Sequence, residues 1–252
     1  MKIIIVIPAR LQSSRFPEKP IKKILGVPMI IRVARICEKI IKRENIIIAT
    51  DSKKIIKLVE EYKFKGMLTS KSCLTGTDRV SEIASKVHAN IYVNVQGDEP
   101  LILPRDIKRI IEAKIKNKNK IICGYSKISK DINPNSNSIP KVVMNEKNEL
   151  LYISRSLIPG SKKILTKYNK QVCIYAFNKN ELNLFRSFKR KSKIEYLEDI
   201  EILRFYELNK KILMVRTSGD SIAVDYPSDI KKVEIKLLNN QLKNRKKIKK
   251  II

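Results

Sequence analysis

Two hydrophobic periods alternate along this chain. Ile3, Ile4, Ile5 and Val6 form a short unbroken apolar run that stops at Pro8 and Arg10, as a buried strand does. From Pro28 to about Lys42 the period changes: Met29, Ile30, Val33, Ile36, Cys37, Ile40 and Ile41 fall on one helical face, with Pro28 at the first helical position, where no N–H is needed. "NIIIAT", residues 45–50, returns to a strand and ends at Asp51. Asp51 or Ser52 is placed to cap a following helix that carries Ile55, Ile56, Leu58 and Val59.

The alternation continues. Val80, Ile83, Ala84 and Val87 mark a helix after "LTGTDR", "IYVNV" at 91–95 a strand that runs into "QGDEP", and Pro104 opens a helix with Ile107, Ile110 and Ile111 before the strand "KIICGYS". From about residue 131 the style shifts. "DINPNSNSIP" is a turn-rich polar loop, and "KVVMNEKNELLYISRS" reads as two strands joined around Asn145 to Asn148. The strand "QVCIYAF", one helix over "SKIEYLEDIEILRFYEL", the strand "KILMVRT" and a closing helix from Pro227 complete the pattern. Strands alternating with helices predict an α/β fold with a mostly parallel central sheet flanked by helices, and residues 131–178 predict a small antiparallel insertion. The length of 252 residues fits one domain, and no internal repeat is visible.

Composition refines this picture at two points. No run approaches the roughly 18 apolar residues of a membrane span, and the N-terminal apolar run offers no cleavage site, so a cytoplasmic protein without membrane insertion is expected. Cys37, Cys73, Cys123 and Cys173 form no C-x-x-C pair and read as buried thiols, while the single histidine, His88, reads as a surface or helix-end residue. The formal net charge of +29 invites a nucleic-acid reading. The excess is spread along the chain as Lys, beside abundant Ile and Asn, and these three residues share AT-rich codons. Compositional drift therefore accounts for it, and no stable nucleic-acid partner is expected. Only the tail from about residue 241, "LKNRKKIKKII", is densely basic.

In open α/β sheets ligands lie beyond the carboxyl ends of strands, which directs attention to three strand ends. The first carries Arg10, Arg15 and Lys19 with hydroxyls at Ser13 and Ser14; the second carries Gln96, Gly97, Asp98 and Glu99; the last carries Asp225 in "IAVDYPSD". Cations and two carboxylates converging on one crevice suit a divalent metal holding a polyphosphate. Neither G-x-x-x-x-G-K-[ST] nor G-x-G-x-x-G is present, so a phosphate cradle must be the Arg/Ser/Lys loop itself.

"IPARLQSSRFPEKP", "GVPMI", "TGTDRVSEIA", "VNVQGDEP", "LLYISRSLIP", "CIYAF", "LEDIEILR" and "VDYPSDI", in that order, resemble the 3-deoxy-manno-octulosonate (KDO) cytidylyltransferase family, or CMP-KDO synthetases. The resemblance implies a Rossmann-like nucleotidyltransferase, usually a homodimer with the insertion at the dimer contact. Such an enzyme joins CTP to an acidic eight-carbon sugar for lipopolysaccharide biosynthesis and releases pyrophosphate. It further implies that Arg10, Ser13, Arg15 and Lys19 grip the CTP phosphates and that Pro8 and Ala9 read cytosine with Gly76, Thr77, Asp78 and Arg79. Gln96 joins the nucleotide site, Asp98 and Asp225 hold Mg2+, and Arg155, Tyr175 and Glu198 lie near the sugar acid. Arg10, Arg15, Lys19 and Asp98 are the expected catalytic set. Three departures fall in the sugar half: "QVCIY", with Gln171 where the family has a histidine and Cys173 where it has a glycine; Ile202 where it has a glutamine; and the N-P-N loop altered to "NSNSIPKVV". Unchanged KDO is the expected acceptor. An 8-amino analogue or another 3-deoxy-ulosonic acid is the alternative, with Gln171 and Ile202 at the substrate.

Overall fold

The computed structural model describes residues 1–13, 15–129, 132–162, 167–219 and 221–248, the last stretch by backbone alone at 241 and 243–248. Ser14, Asp131 and residues 249–252 of the basic tail lie outside the described residues.

The elements follow in chain order as β1 (Ile3–Ala9), β2 (Lys23–Ile24), β3 (Val27–Pro28), α1 (Met29–Glu38), β4 (Ile46–Thr50), α2 (Lys53–Glu61), β5 (Lys65–Leu68), α3 (Gly76–Lys86), β6 (Ile91–Val95), α4 (Pro104–Lys116) and β7 (Ile121–Lys127). Then come β8 (Lys141–Met144), β9 (Leu150–Ser154), β10 (Asn169–Phe177), α5 (Lys179–Ser187), α6 (Lys193–Glu198), α7 (Leu203–Glu207), β11 (Ile212–Arg216) and α8 (Pro227–Ile248). The main sheet runs β11-β7-β10-β6-β1-β4-β5. All pairings along it are parallel except those of β10, which is antiparallel to both β6 and β7. The β8–β9 hairpin turns the chain round before β10, so β10 enters the sheet interior reversed.

The period-2 geometry of β1 explains the layers. Ile4 and Val6 face one apolar cluster with α3, α5 and α7, and Ile5 and Ile7 face a second with α1, α2 and α4. A strand buried on both faces must be apolar at consecutive positions, which is why residues 3–7 show no alternation. A third, smaller cluster of Phe16, Ile24, Met29, Leu101, Val224 and Val233 anchors the segment after β1 and seats α8.

β1 continues to β4 on one side and, through α3, the chain returns to β6 on the other, so the switch point lies between β1 and β6. Their carboxyl ends approach closely there. A Cβ built on Gly97 would sit 2.9 Å from the Pro8 carbonyl oxygen and 2.9 Å from Ile30 Cδ1. Because a backbone oxygen cannot swing aside, Gly97→Ala is expected to destabilise the protein by about 1–3 kcal/mol, read as a lower urea midpoint.

Several expectations are corrected. The helix predicted over residues 28–42 stops at Glu38, with Ile40 and Ile41 packing from the following turn. Ser52 stands at the N-cap of α2 without a side-chain bond, and Asp51 instead accepts from Arg79 Nη2 at 2.8 Å. Asp225 follows an irregular segment and not a sheet strand, because β11 ends at Arg216. The single helix expected across "SKIEYLEDIEILRFYEL" is two, α6 and α7, broken at Asp199, whose φ is 50°. His88 is exposed just beyond α3, and the hairpin falls where the turn residues put it.

Candidate functional site

Beyond β1 and β6 lies a cleft of about 550 Å³. Pro8 and Ala9 form part of its wall, and Arg10, Ser13, Arg15, Lys19, Gly76, Arg79, Gln96, Asp98 and Asp225 also line it. Phe16, buried in the third cluster, pins the loop that carries the cations. Lys19 Nζ donates to Asp98 Oδ2 at 2.7 Å and to the Val224 carbonyl at 2.8 Å, and stands 4.0 Å from Asp225 Oδ1. Arg15 reaches the same Asp225 oxygen at 3.1 Å, with its guanidinium over the Tyr226 ring. Arg10 is exposed and makes no ion pair among the described residues.

A second pocket of about 230 Å³ adjoins the first and shares Arg10, Gly76, Gln96 and Asp199 with it. Gln171, Cys173 and Tyr175, alternate residues of β10, line it on one face. Gln171 Nε2 donates to the Tyr175 hydroxyl at 3.0 Å. Burial pushes the Cys173 thiol and the Tyr175 phenol well above their ordinary pKa values, so both stay neutral. Arg155 enters from the end of β9 and donates to the carbonyls of Glu198 at 2.6 Å and Asp199 at 3.1 Å, closing the C-terminus of α6.

The cytidylyltransferase family model matches residues 4–212. A 3-deoxy-manno-octulosonate cytidylyltransferase of a Nitratiruptor species is 38% identical, the match covering 91% of this chain and 98% of that protein. The chain belongs to the 3-deoxy-manno-octulosonate cytidylyltransferase family. A second relative with that name, from Chloroherpeton thalassium, is 36% identical over 93% of this chain and 97% of its own length. The solved structure of a CMP:2-keto-3-deoxy-manno-octonic acid synthetase complexed with CTP superposes with a TM-score of 0.88 at 32% identity, covering 95% of this chain and all of that one. Family membership accounts for the Rossmann-like nucleotidyltransferase architecture with an antiparallel strand inside it.

Not every residue singled out from the sequence faces the cleft. Asp78 is turned inward: Oδ2 accepts from Thr75 N at 2.8 Å in a capping box, and Oδ1 accepts from Arg204 at 2.8 Å. Thr77 is buried, with its N–H given to Glu201 at 2.8 Å. Arg79 borders the cleft, yet its guanidinium is spent on Asp51, Thr69 and the Ser70 carbonyl. Glu198 lies behind Arg155, accepting from its N–H at 2.8 Å and from Ser154 Oγ at 2.6 Å, and orients that arginine from outside the pocket. Ile202 is the clearest correction, since it is fully buried in the apolar core and touches neither pocket.

The break at Asp199 delivers two groups that the sequence reading missed. Asp199 borders both pockets and pairs with Lys191 at 2.8 Å. Glu201 keeps some surface toward the second pocket but has a desolvated carboxylate, which accepts from Thr77 N at 2.8 Å and from Gln96 Nε2 at 2.9 Å. It therefore fixes which face of the Gln96 amide is turned to the junction of the two pockets. The sequence carries only a faint signal here: Ile200 and Ile202 stand two positions apart, a spacing one continuous helix does not place on a single face.

Burial raises the Glu201 carboxyl from 4.5 to about 7. Between those values the unfolded chain has lost the proton and the folded chain keeps it, so this group makes stability fall as pH rises through the window and adds no slope above it. Glu201→Gln is expected to remove that slope, worth on the order of 3 kcal/mol, in urea midpoints compared at low and neutral pH. It also sets an amide N–H against one of the two donors, loosening Gln96.

Proposed function

We propose that the chain transfers a cytidylyl group from CTP to 3-deoxy-manno-octulosonate, giving CMP-KDO and pyrophosphate. The observation that carries this reading is the adjacency of the two pockets: a cationic cleft at the switch point and a smaller polar pocket, joined at Arg10, Gly76, Gln96 and Asp199. In this reading Arg10, Ser13, Arg15 and Lys19 hold the triphosphate, and Pro8, Ala9 and Gly76 form the wall against the base. Arg155 supplies positive charge for the sugar carboxylate, and Gln171 and Tyr175 supply hydrogen bonds.

The acceptor hydroxyl bonds to the α-phosphorus while the bond from that phosphorus to the α,β-bridging oxygen breaks. Pyrophosphate leaves, and the hydroxyl proton passes to water. The protein contributes alignment and charge: the two pockets hold nucleophile and phosphorus in reach of each other, and the cationic loop offsets negative charge on the departing group.

Asp98 and Asp225 fit a magnesium ion. Both offer hard carboxylate oxygens, with side chains 31% and 32% exposed, and both approach the same Lys19 Nζ. Magnesium commonly takes one or two carboxylates and completes its shell with phosphate oxygens and water. When bound, magnesium would supply charge stabilisation at the phosphate oxygens.

The wall of the second pocket favours unchanged KDO over an altered acceptor. Ile202 removes nothing from that wall, and Gln171 presents an amide that is already hydrogen-bonded in it. A homodimer would give cover to large apolar side chains left exposed on β9, α6 and α7, namely Leu151, Tyr196, Leu197 and Tyr206. A cytoplasmic setting accords with four free cysteines. The test is pyrophosphate release with CTP and magnesium, offering KDO, its 8-amino analogue and a nine-carbon sialic acid in turn, with the other nucleoside triphosphates as controls. Turnover confined to CTP and KDO is expected; preference for another acid would overturn the acceptor, and preference for another nucleotide would overturn the donor.

A further inference from the structure

The smaller pocket has to receive a negative charge at one particular place. In a 2-keto sugar acid closed to its ring, the carbon that bears the reacting hydroxyl also bears the carboxylate, so that group must lie at the junction with the nucleotide cleft. Among the described residues three cations line the pocket: Arg10, Arg155 and Lys191. Arg10 borders both pockets and, in the reaction assigned above, is given to the triphosphate. Arg155 is engaged by the backbone: Nε, Nη1 and Nη2 donate to the carbonyls of Glu198 at 2.6 Å, Asn137 at 2.9 Å and Asp199 at 3.1 Å. It lends charge from the wall, but turning it onto a ligand would open the end of α6. Lys191 differs, because its one partner among the described residues is a side chain, Asp199, whose Oδ1 accepts from Nζ at 2.8 Å.

The fold uses Asp199 through its backbone. A φ of 50° turns the chain there, and its N–H donates to the Glu195 carbonyl to end α6. The side chain is 68% exposed, borders both pockets, and faces Lys191 and, at 4.0 Å, Arg155. The hydrogen bond from Lys191 and the nearby charges of Arg155 and Arg15 hold its carboxyl below the ordinary range, so it is ionised at neutral pH. A carboxylate drawn to two cations thus stands where the carboxylate of the sugar is due.

We propose that Lys191 binds the carboxylate of the sugar acid and that Asp199 is the counterion which the acid displaces from it; this deepens, and rests on, the reaction assigned above. The exchange is cheap, because an exposed ion pair is weak in water, while a lysine and a carboxylate enclosed beside the nucleotide are screened less. Were Asp199 to stay, its charge would oppose both the acid and the α-phosphate. The exchange also selects acids from neutral sugars, since only a ligand that brings its own negative charge replaces the one Lys191 gives up.

The experiment compares KDO with its C1 amide, at saturating CTP and magnesium, in the unsubstituted chain and in Lys191→Gln, Lys191→Arg and Asp199→Asn, with the amide also scored as a competitive inhibitor. Lys191→Gln is expected to raise KM for the acid about tenfold or more while KM for CTP holds, and to cut the preference for acid over amide by a similar factor. Lys191→Arg should recover most of that preference. Asp199→Asn is expected to shift KM for the acid the other way, down by about two- to fivefold, the worth of an exposed pair. A pair that only braced the fold would weaken acid and amide alike in both variants and leave the preference where it was, which would overturn the proposal. So would a raised KM for the acid in Asp199→Asn, which would make Asp199 itself a sugar contact. Absence of turnover with KDO in the unsubstituted chain is a separate failure, which would overturn the assigned reaction and this role with it.

Discussion

Asp98→Asn is expected to lower kcat by roughly a hundred- to a thousandfold while leaving the thermal midpoint nearly unchanged. The asparagine is isosteric and can still accept from Lys19, which now sits 2.7 Å from the carboxylate, so the loop keeps its position. What is lost is one of the two carboxylates that approach Lys19 at the cleft. If those carboxylates hold magnesium, the variant should also need a higher magnesium concentration for half-maximal rate, and Asp225→Asn should behave in the same way. A titration of rate against magnesium for both variants checks this. A rate defect without any change in metal requirement would point to positioning of Lys19 as the sole role, and full activity in either variant would remove the metal assignment.

The largest expected loss of stability is at Arg204. Its guanidinium is fully buried, donates to both carboxylate oxygens of Glu195 at 2.7 Å and to Asp78 at 2.8 Å, and lies 3.7 Å from the centroid of the Phe185 ring. Arg204→Ala leaves two carboxylates without their cation, one of them buried Glu195, and opens a void beside Phe185. The expected cost is about 3–5 kcal/mol, or roughly 10 °C in the thermal midpoint for a chain of this size. The effect should reach the site as well. Asp78 holds the Thr75 cap at the start of α3, and Gly76 of that turn is so close to Gln96 that an added Cβ would lie 2.9 Å from Nε2. A midpoint unchanged within the scatter of repeated scans would contradict the network as the tie between α7 and α3.

The parts of this architecture that were legible in the sequence share a physical cause. Residues 3–7 and 91–95 are buried on both faces, so their apolar runs announce interior strands, and the groups just beyond them are bound to lie at the carboxyl edge. Arg10, Arg15, Lys19, Gln96 and Asp98 were therefore accessible by position alone. The reversed entry of β10 was not, because "QVCIYAF" reads the same in either direction and its sense is set by the hairpin before it. β5 was missed for a different reason: "KGML" is short, half-exposed and contains a glycine, and only its pairing with β4 makes it a strand.

Within the site, the sequence placed residue types better than it placed their partners. Asp78 looked like a polar group for the base until Arg204, 126 positions away, claimed it. Ile202 looked like a replaced sugar contact, but α7 turns it into the core and brings Glu201 toward Gln96 instead. Both depend on the left-handed turn at Asp199, a residue without the glycine signature that usually marks such a conformation. The departures from the family that remain in the pocket wall are Gln171 and Cys173, beside Pro140 of the altered loop.

Phosphorus NMR of CTP, KDO, enzyme and magnesium shows whether the two adjacent pockets bring the sugar acid to attack the nucleotide. The three CTP signals are expected to give way to a phosphodiester resonance of the cytidylylated sugar acid and to pyrophosphate, in equal amounts, only when KDO is present. Loss of CTP to CDP and phosphate, or persistence of all three CTP signals with KDO present, would contradict this reaction.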